Sequence, residues 1–299
     1  MKTISKKSLS KQLTALAVVS LFAAAAQAQT VLLNDTFSDN TVTGQSLPGS
    51  ANWYFPTNGG SLSGATGAMV MTDDGAGAPV AYFTSTSLAN MGDKVTLSFD
   101  FSFSAYANSA DSFRFGLFNS QALGGATKFA SSTPGANLPL AQPTEYAKYD
   151  GYATFANLGG GTMVQKEEFS STTSTSTNTL FSAAGTLGTP SAGTISLTGG
   201  QNYTAVFSIE RTATGNKLTT TIDGVTVTAT DITSLKNTFD TVSFFTTSAA
   251  IPSTGGKLTL DNINVTAVTA VPEPSTYAMF IAGGLALIGA ARRRRAKSV

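Results

Sequence analysis

Between residues 30 and 270 apolar and polar positions alternate again and again, and the alternating runs are broken by Gly, Asn, Asp and Ser. A period of two sends successive side chains to opposite faces of an extended chain, so this pattern predicts strands with one buried and one wet face. The clearest is Lys94–Phe103, where Val95, Leu97, Phe99, Phe101 and Phe103 share one parity and Thr96, Ser98, Asp100 and Ser102 the other. Phe113, Phe115 and Leu117 repeat it with Arg114 and Gly116 opposite, and Tyr203, Ala205, Phe207 and Ile209 repeat it with Glu210 opposite. Asp223-Gly224 lies between two Thr/Val/Ile runs in 218–228, the two-residue loop that a type I′ hairpin prefers. Leu258 and Leu260 have one parity and Ile263 and Val265 the other, and this slip at Asp261-Asn262 predicts a β-bulge.

About twelve such strands, with no convincing helix among them, predict an all-β body, and their length and spacing suit one two-sheet antiparallel sandwich, a jelly roll, better than a repeat array. Two stretches do not fit strands: 121–144, rich in Gly, Pro and Ala, and 170–190, which contains STTSTSTNT. Both are expected to be long surface loops, the Ser/Thr tract a solvated spacer.

The two ends of the chain follow other rules. Lys2, Lys6, Lys7 and Lys11 precede an apolar run over 13–26, and Ala26-Gln27-Ala28 is a small-x-small site, so 1–28 reads as a secretory signal peptide cut between Ala28 and Gln29. At the other end Pro272-Glu273-Pro274 forms an extended, kinked spacer, because each proline fixes φ and lacks an N–H. An uncharged segment over 277–291 follows, about 22 Å long as a helix and short against a hydrocarbon core of about 30 Å. Arg292, Arg293, Arg294 and Arg295, with Lys297, would hold its end on the cytoplasmic side. A plain membrane anchor would explain the apolar run but not the tripeptide before it. This order of segments resembles the PEP-CTERM sorting signal of Gram-negative bacteria. The resemblance implies one C-terminal transmembrane helix, cleavage near the tripeptide by an exosortase, and release of the body or its transfer to the cell surface. The organisation expected is therefore signal peptide 1–28, β-sandwich 29–270 and sorting signal 271–299.

Removing both ends changes the charge. Of 18 basic residues the signal peptide holds four and the tail five, and of 17 acidic ones the tail holds Glu273, so nine remain against 16, a net charge of minus seven. A general positive field for nucleic acid or anionic polymer is excluded. The chain has no His and no Cys, which excludes Ser-His-Asp and Cys-His catalysis, His-ligated zinc and disulfide staples within it. Carboxylates, hydroxyls, amides and hard metal ions remain.

The segments 32–37, Trp53, 99–120 and 258–265 are similar in texture and order to concanavalin A-like lectin and glucanase sandwiches. That family hosts retaining glucanases, which set two carboxylates roughly 5.5 Å apart. Their Glu-x-Asp-x-x-Glu string is missing here, and Glu167-Glu168 would point to opposite faces. A structural calcium ion is a second candidate, with Asp35 and Asp261 as ligands from terminal strands, against the simpler role of capping strand ends. Glycan binding is a third, with Asp100 and Arg114 projecting from neighbouring strands and Trp53 and Tyr152 stacking on sugar rings. For each residue alone, core packing or a cross-strand pair is the competing reading. The expectation is a non-enzymatic, exported sandwich without a cofactor, bound for the cell surface or extracellular matrix and associated with exopolysaccharide or biofilm. A dedicated glycan-binding lectin is the alternative, and a degenerate glycoside hydrolase the third reading.

Overall fold

The computed structural model describes residues 28–44, 46–56, 60–72, 78–105, 113–122, 137–138, 148–157, 159–168, 179–181, 184–187, 193–246 and 256–270. They contain seventeen strands: β1 (Ala28–Asp35), β2 (Trp53–Pro56), β3 (Ser61–Ser63), β4 (Met69–Thr72), β5 (Val80–Ser87), β6 (Lys94–Phe103), β7 (Phe113–Asn119), β8 (Asn137–Leu138), β9 (Asp150–Ala156), β10 (Gly159–Glu168), β11 (Ala184–Thr186), β12 (Thr194–Ser196), β13 (Asn202–Arg211), β14 (Asn216–Ile222), β15 (Val225–Asp231), β16 (Thr238–Thr246) and β17 (Lys257–Thr269). Short 3-10 turns at Ala65–Gly67 and Thr179–Phe181 are the helical elements among the described residues. The compact unit that carries the strands is Gln29–Thr269.

The strands form two sheets. Sheet I runs β15-β14-β13-β6-β17-β4-β3 with β1 paired to β17, and sheet II runs β11-β10-β9-β7-β16-β5-β2-β8 with β12 paired to β10. Leaving aside β1 with β17, the neighbouring strands pair antiparallel except β2 with β8, which are parallel. The apolar parities read from the sequence meet between the sheets: Val95, Leu97, Phe99, Phe101, Phe103, Ala205, Phe207 and Ile209 from sheet I pack with Trp53, Phe113, Phe115, Leu117 and Phe244 from sheet II. Phe99 sits edge-on to Phe113, Phe115 and Phe244 at ring centroid distances of 6.2, 5.0 and 4.8 Å. Such T-shaped contacts match the ring quadrupoles and tie the sheets together.

The two-sheet antiparallel sandwich is the fold, with more strands than the twelve or so expected. The extra ones are short edge pieces such as β3, β11 and β12, too brief for alternation to register. Asp223 and Gly224 adopt φ of 48° and 76°, the left-handed pair of a type I′ turn between β14 and β15. The β17 register against β6 shifts between Asp261 and Asn264, and Asn262 has φ of 50°, so the bulge lies where parity slips. Within 170–190, expected to be loop throughout, the 3-10 turn and β11 are formed.

Candidate functional site

The sorting residues Pro272, Glu273, Pro274 and Arg292 to Arg295, and the apolar segment 277–291, lie outside the described residues. Among those described, no helix is long and apolar enough to cross a membrane. Ala28 and Gln29, the expected cleavage pair, open β1 and are exposed.

The glycan-binding set is not assembled. Asp100 is on β6 in sheet I and Arg114 on β7 in sheet II, so strands consecutive in sequence lie in different sheets. Both residues have the outward parity, which puts them on opposite outer faces of the sandwich. Trp53 and Tyr152 have no exposed surface at all and cannot stack on a sugar. Aromatic composition alone could not separate a platform from a core.

Sheet II covers its own outer face. Arg114 lies between the rings of Phe155 and Phe245, 4.3 and 4.9 Å from their centroids, and its Nη1 donates to the Phe181 carbonyl at 3.1 Å. Phe181, carried by the 3-10 turn, packs on Phe118, Phe155 and Phe245 at 5.3, 6.2 and 5.7 Å. With Tyr54, Val80, Tyr149 and Leu180 these residues form a second apolar cluster. Gly116 gives Phe118 and the neighbouring strand room, since a Cβ there would meet the Tyr152 carbonyl oxygen.

Between the sheets lies a polar cluster that the sequence reading missed. Tyr152 on β9 donates its phenolic proton to Asp231 Oδ2 at 2.6 Å and accepts from Asn216 Nδ2 at 3.2 Å and the Lys236 N–H at 2.9 Å. Asp231 Oδ1 accepts from the Thr233 and Ser234 N–H groups at 2.9 and 3.3 Å. Lys236 Nζ approaches Glu167 Oε1 at 3.3 Å and Asp150 Oδ2 at 3.5 Å. Deeper in, Gln165 Nε2 donates to Thr220 Oγ1 and the Val227 carbonyl, and Thr154 and Thr220 share a hydroxyl bond of 2.6 Å.

Burial sets the titration of this cluster. It pushes the Tyr152 phenol far up, and the bond to the Asp231 carboxylate adds to the rise. Burial also raises Glu167, helped by the Asp231 charge and opposed by Lys236, and it raises Asp150 against Lys236. Asp231 is the exception: burial opposes its charge, but the bonds from Tyr152, Thr233 and Ser234 outweigh that and lower its pKa. A legible signal exists, because Asp231 shares parity with Val227 and Ala229, and Gln165 and Glu167 share it with Met163. Polar residues on a core parity mark an internal network.

The calcium site expected at Asp35 and Asp261 is not assembled either. Asp35 is 1% exposed, and its oxygens accept from the Phe37 N–H at 3.1 Å, the Ala51 N–H at 3.2 Å and Trp53 Nε1 at 3.0 Å. Burial raises its pKa against those bonds. It therefore holds the turn after β1, where Phe37 has φ of 49°, and fixes the indole of Trp53. Asp261 instead faces Asp100 in register on the outer face of sheet I, where Asn262 Nδ2 donates to Asp100 Oδ2 at 2.8 Å and Thr204 Oγ1 to Asp100 Oδ1 at 2.6 Å. Among the described residues no group of three or more acidic side chains is placed to hold a metal ion.

Residues 270–295 match the PEP-CTERM protein-sorting motif. The motif marks the chain as an exported, membrane-anchored precursor that an exosortase processes to the cell surface. No curated protein sequence matches the chain. Among solved structures it is similar to a protein of unknown function with a galectin-like fold from Bacillus subtilis, with 11% identity over 82% of this chain and 100% of that one and a TM-score of 0.46. An endo-1,3-beta-glucanase from Streptomyces sioyaensis gives 13% identity over 82% and 98% of the two chains, with a TM-score of 0.44. A lectin, UEA-II, complexed with galactose gives 12% identity over 80% and 98%, with a TM-score of 0.41.

Proposed function

We propose that this chain is a surface protein of a Gram-negative bacterium that acts by binding rather than by catalysis, and that its mature sandwich associates with extracellular polysaccharide of the biofilm matrix. The matched sorting motif at 270–295 carries the reading, since it delivers the sandwich to the compartment where such polymers lie. The placement of the carboxylates supports a non-catalytic role. Glu167 is 3% exposed and lies against Lys236, Asp35 holds a turn, and Asp231 is engaged by Tyr152, Thr233 and Ser234. None of these arrangements leaves an acid and a base facing a common cleft, as glycoside hydrolysis needs.

Co-sedimentation of the mature protein with the extracellular polysaccharide of its own strain tests this reading. The protein is expected in the polysaccharide fraction and free of hydrolytic activity on it. Recovery of all the protein in the soluble fraction, or shortening of the polymer, would overturn the reading.

A further inference from the structure

The outer face of sheet I carries a band of hydroxyls. In register across β15, β14, β13, β6 and β17 stand Thr228, Thr219, Ser208, Thr96 and Thr266. One step along the strands, on the same face, stand Thr226, Thr221, Val206, Ser98 and Asn264. At about 4.8 Å between strands and about 6.8 Å between rows, the band is roughly 19 Å long and 7 Å wide. Neither row contains a charge. The next row on one side holds Lys217, Glu210 and Lys94, and the next on the other holds Asp100 and Asp261, so charged residues border a neutral strip.

The band is open. Thr226 and Thr228 are exposed, and Thr96, Ser98, Thr219, Thr221, Asn264 and Thr266 are half-buried. Val206 is 37% exposed in the middle of the strip and offers a methyl contact among the hydroxyls. Ser208 sits at the centre of the band. Its residue is 7% exposed and points outward between Thr219 and Thr96.

We infer that this band is a binding strip for a neutral, extended polysaccharide chain lying across the strands. The inference rests on the polysaccharide reading above and assigns it a surface and a ligand class. Three features of the strip select the occupant. Hydroxyls and an amide both donate and accept, as sugar hydroxyls do. The absence of charge in the strip, with a net charge of minus seven on the body, disfavours an anionic polymer. Adjacent strands are rotated by roughly 20 to 25° each, so the strip is twisted and a flexible chain can follow it where a flat crystalline lattice cannot.

Affinity electrophoresis of the mature protein in gels containing a soluble neutral β-glucan, or a polyuronate of similar length, tests the inference. The wild type should be retarded by the neutral glucan and not by the polyuronate. The triple variant Thr96→Val, Thr219→Val, Thr221→Val keeps β-branched side chains and the fold but should lose at least about tenfold in affinity, because each net hydrogen bond is modest and three are removed. Ser208→Ala, at the centre of the strip, should weaken binding while leaving melting unchanged, an outcome that a purely structural serine would not give. Wild type unretarded by the neutral glucan, or variants that bind as the wild type does, would overturn the strip. If the strain's polysaccharide still captures the triple variant undiminished, the strip alone falls. If it captures neither protein, the polysaccharide reading falls with it.

Discussion

Tyr152→Phe removes one oxygen from the interior of the sandwich, and the geometry fixes what that costs. The phenol is fully buried, gives its proton to Asp231 at 2.6 Å, and accepts the Lys236 N–H at 2.9 Å and Asn216 Nδ2 at 3.2 Å. Asn216 keeps two other acceptors, the Lys236 carbonyl and Asn237 Oδ1, so it is not orphaned. Asp231 keeps its bonds to Thr233 and Ser234 but loses its shortest donor. The loss is therefore one charge-assisted bond plus one stranded N–H, about 2 to 3 kcal/mol in all. Equilibrium urea unfolding followed by the fluorescence of Trp53, the one tryptophan in the chain and fully buried, reads this directly. A double-mutant cycle with Asp231→Asn should return a coupling of about 1 kcal/mol or more. The variant should also unfold at a higher pH on the acid side, because Asp231 loses a bond that lowers its pKa. A destabilisation below about 0.5 kcal/mol with no coupling would refute the claim that this cluster ties the sheets together.

Asp35→Ala should cost about 2 to 4 kcal/mol by leaving the N–H groups of Phe37, Ala51 and Trp53 without their acceptor, and a chelator should not shift the melting of the wild type; a large chelator shift would restore the calcium reading. Gly116→Ala drives a Cβ against the Tyr152 carbonyl on the adjacent strand and should cost about 1 to 3 kcal/mol, measured by the same unfolding curve; a neutral result would mean that β7 and β9 are spaced more widely. Asp35, Asp150 and Glu167 all have raised pKa values, so between their ordinary values of 3.8, 3.8 and 4.5 and the raised ones the folded chain holds more protons than the unfolded, and stability falls as pH rises through that window. Asp231 is lowered, and its contribution is lost only as pH drops below 3.8 through its folded value. Melting should accordingly fall as pH rises above about 4.5 toward neutrality, and a curve that climbs with pH there would contradict the assignment.

Strands with strict alternation were legible because one face meets the core and the other meets water. Val95 to Phe103 declared both their strand and their buried face, and the parity slip at Asp261-Asn262 located a bulge that the β17 register confirms. The two-residue turn at Asp223-Gly224 was legible because few residues tolerate left-handed φ in succession. Which strand joins which sheet was not legible. β6 and β7 are consecutive in sequence, and their chemistry does not reveal that the chain crosses between sheets, so Asp100 and Arg114 were placed on one face when they occupy opposite ones. Trp53 and Tyr152 misled for a related reason: an aromatic with a polar edge suits a platform or a core, and only a buried partner, Asp35 for one and Asp231 for the other, decides. The hydroxyl band escaped notice because its rows run across five strands, at right angles to the direction in which a sequence is read.

The central claim is that the sandwich reaches its place of action through a removable C-terminal address. Intact-mass spectrometry of the mature surface protein, from cells with and without the exosortase, tests it most directly. In wild-type cells the chain should begin at or near Gln29 and end near Pro272-Glu273-Pro274, and in the mutant it should run through Val299. A C-terminus intact through Val299 on wild-type surface protein would contradict the account.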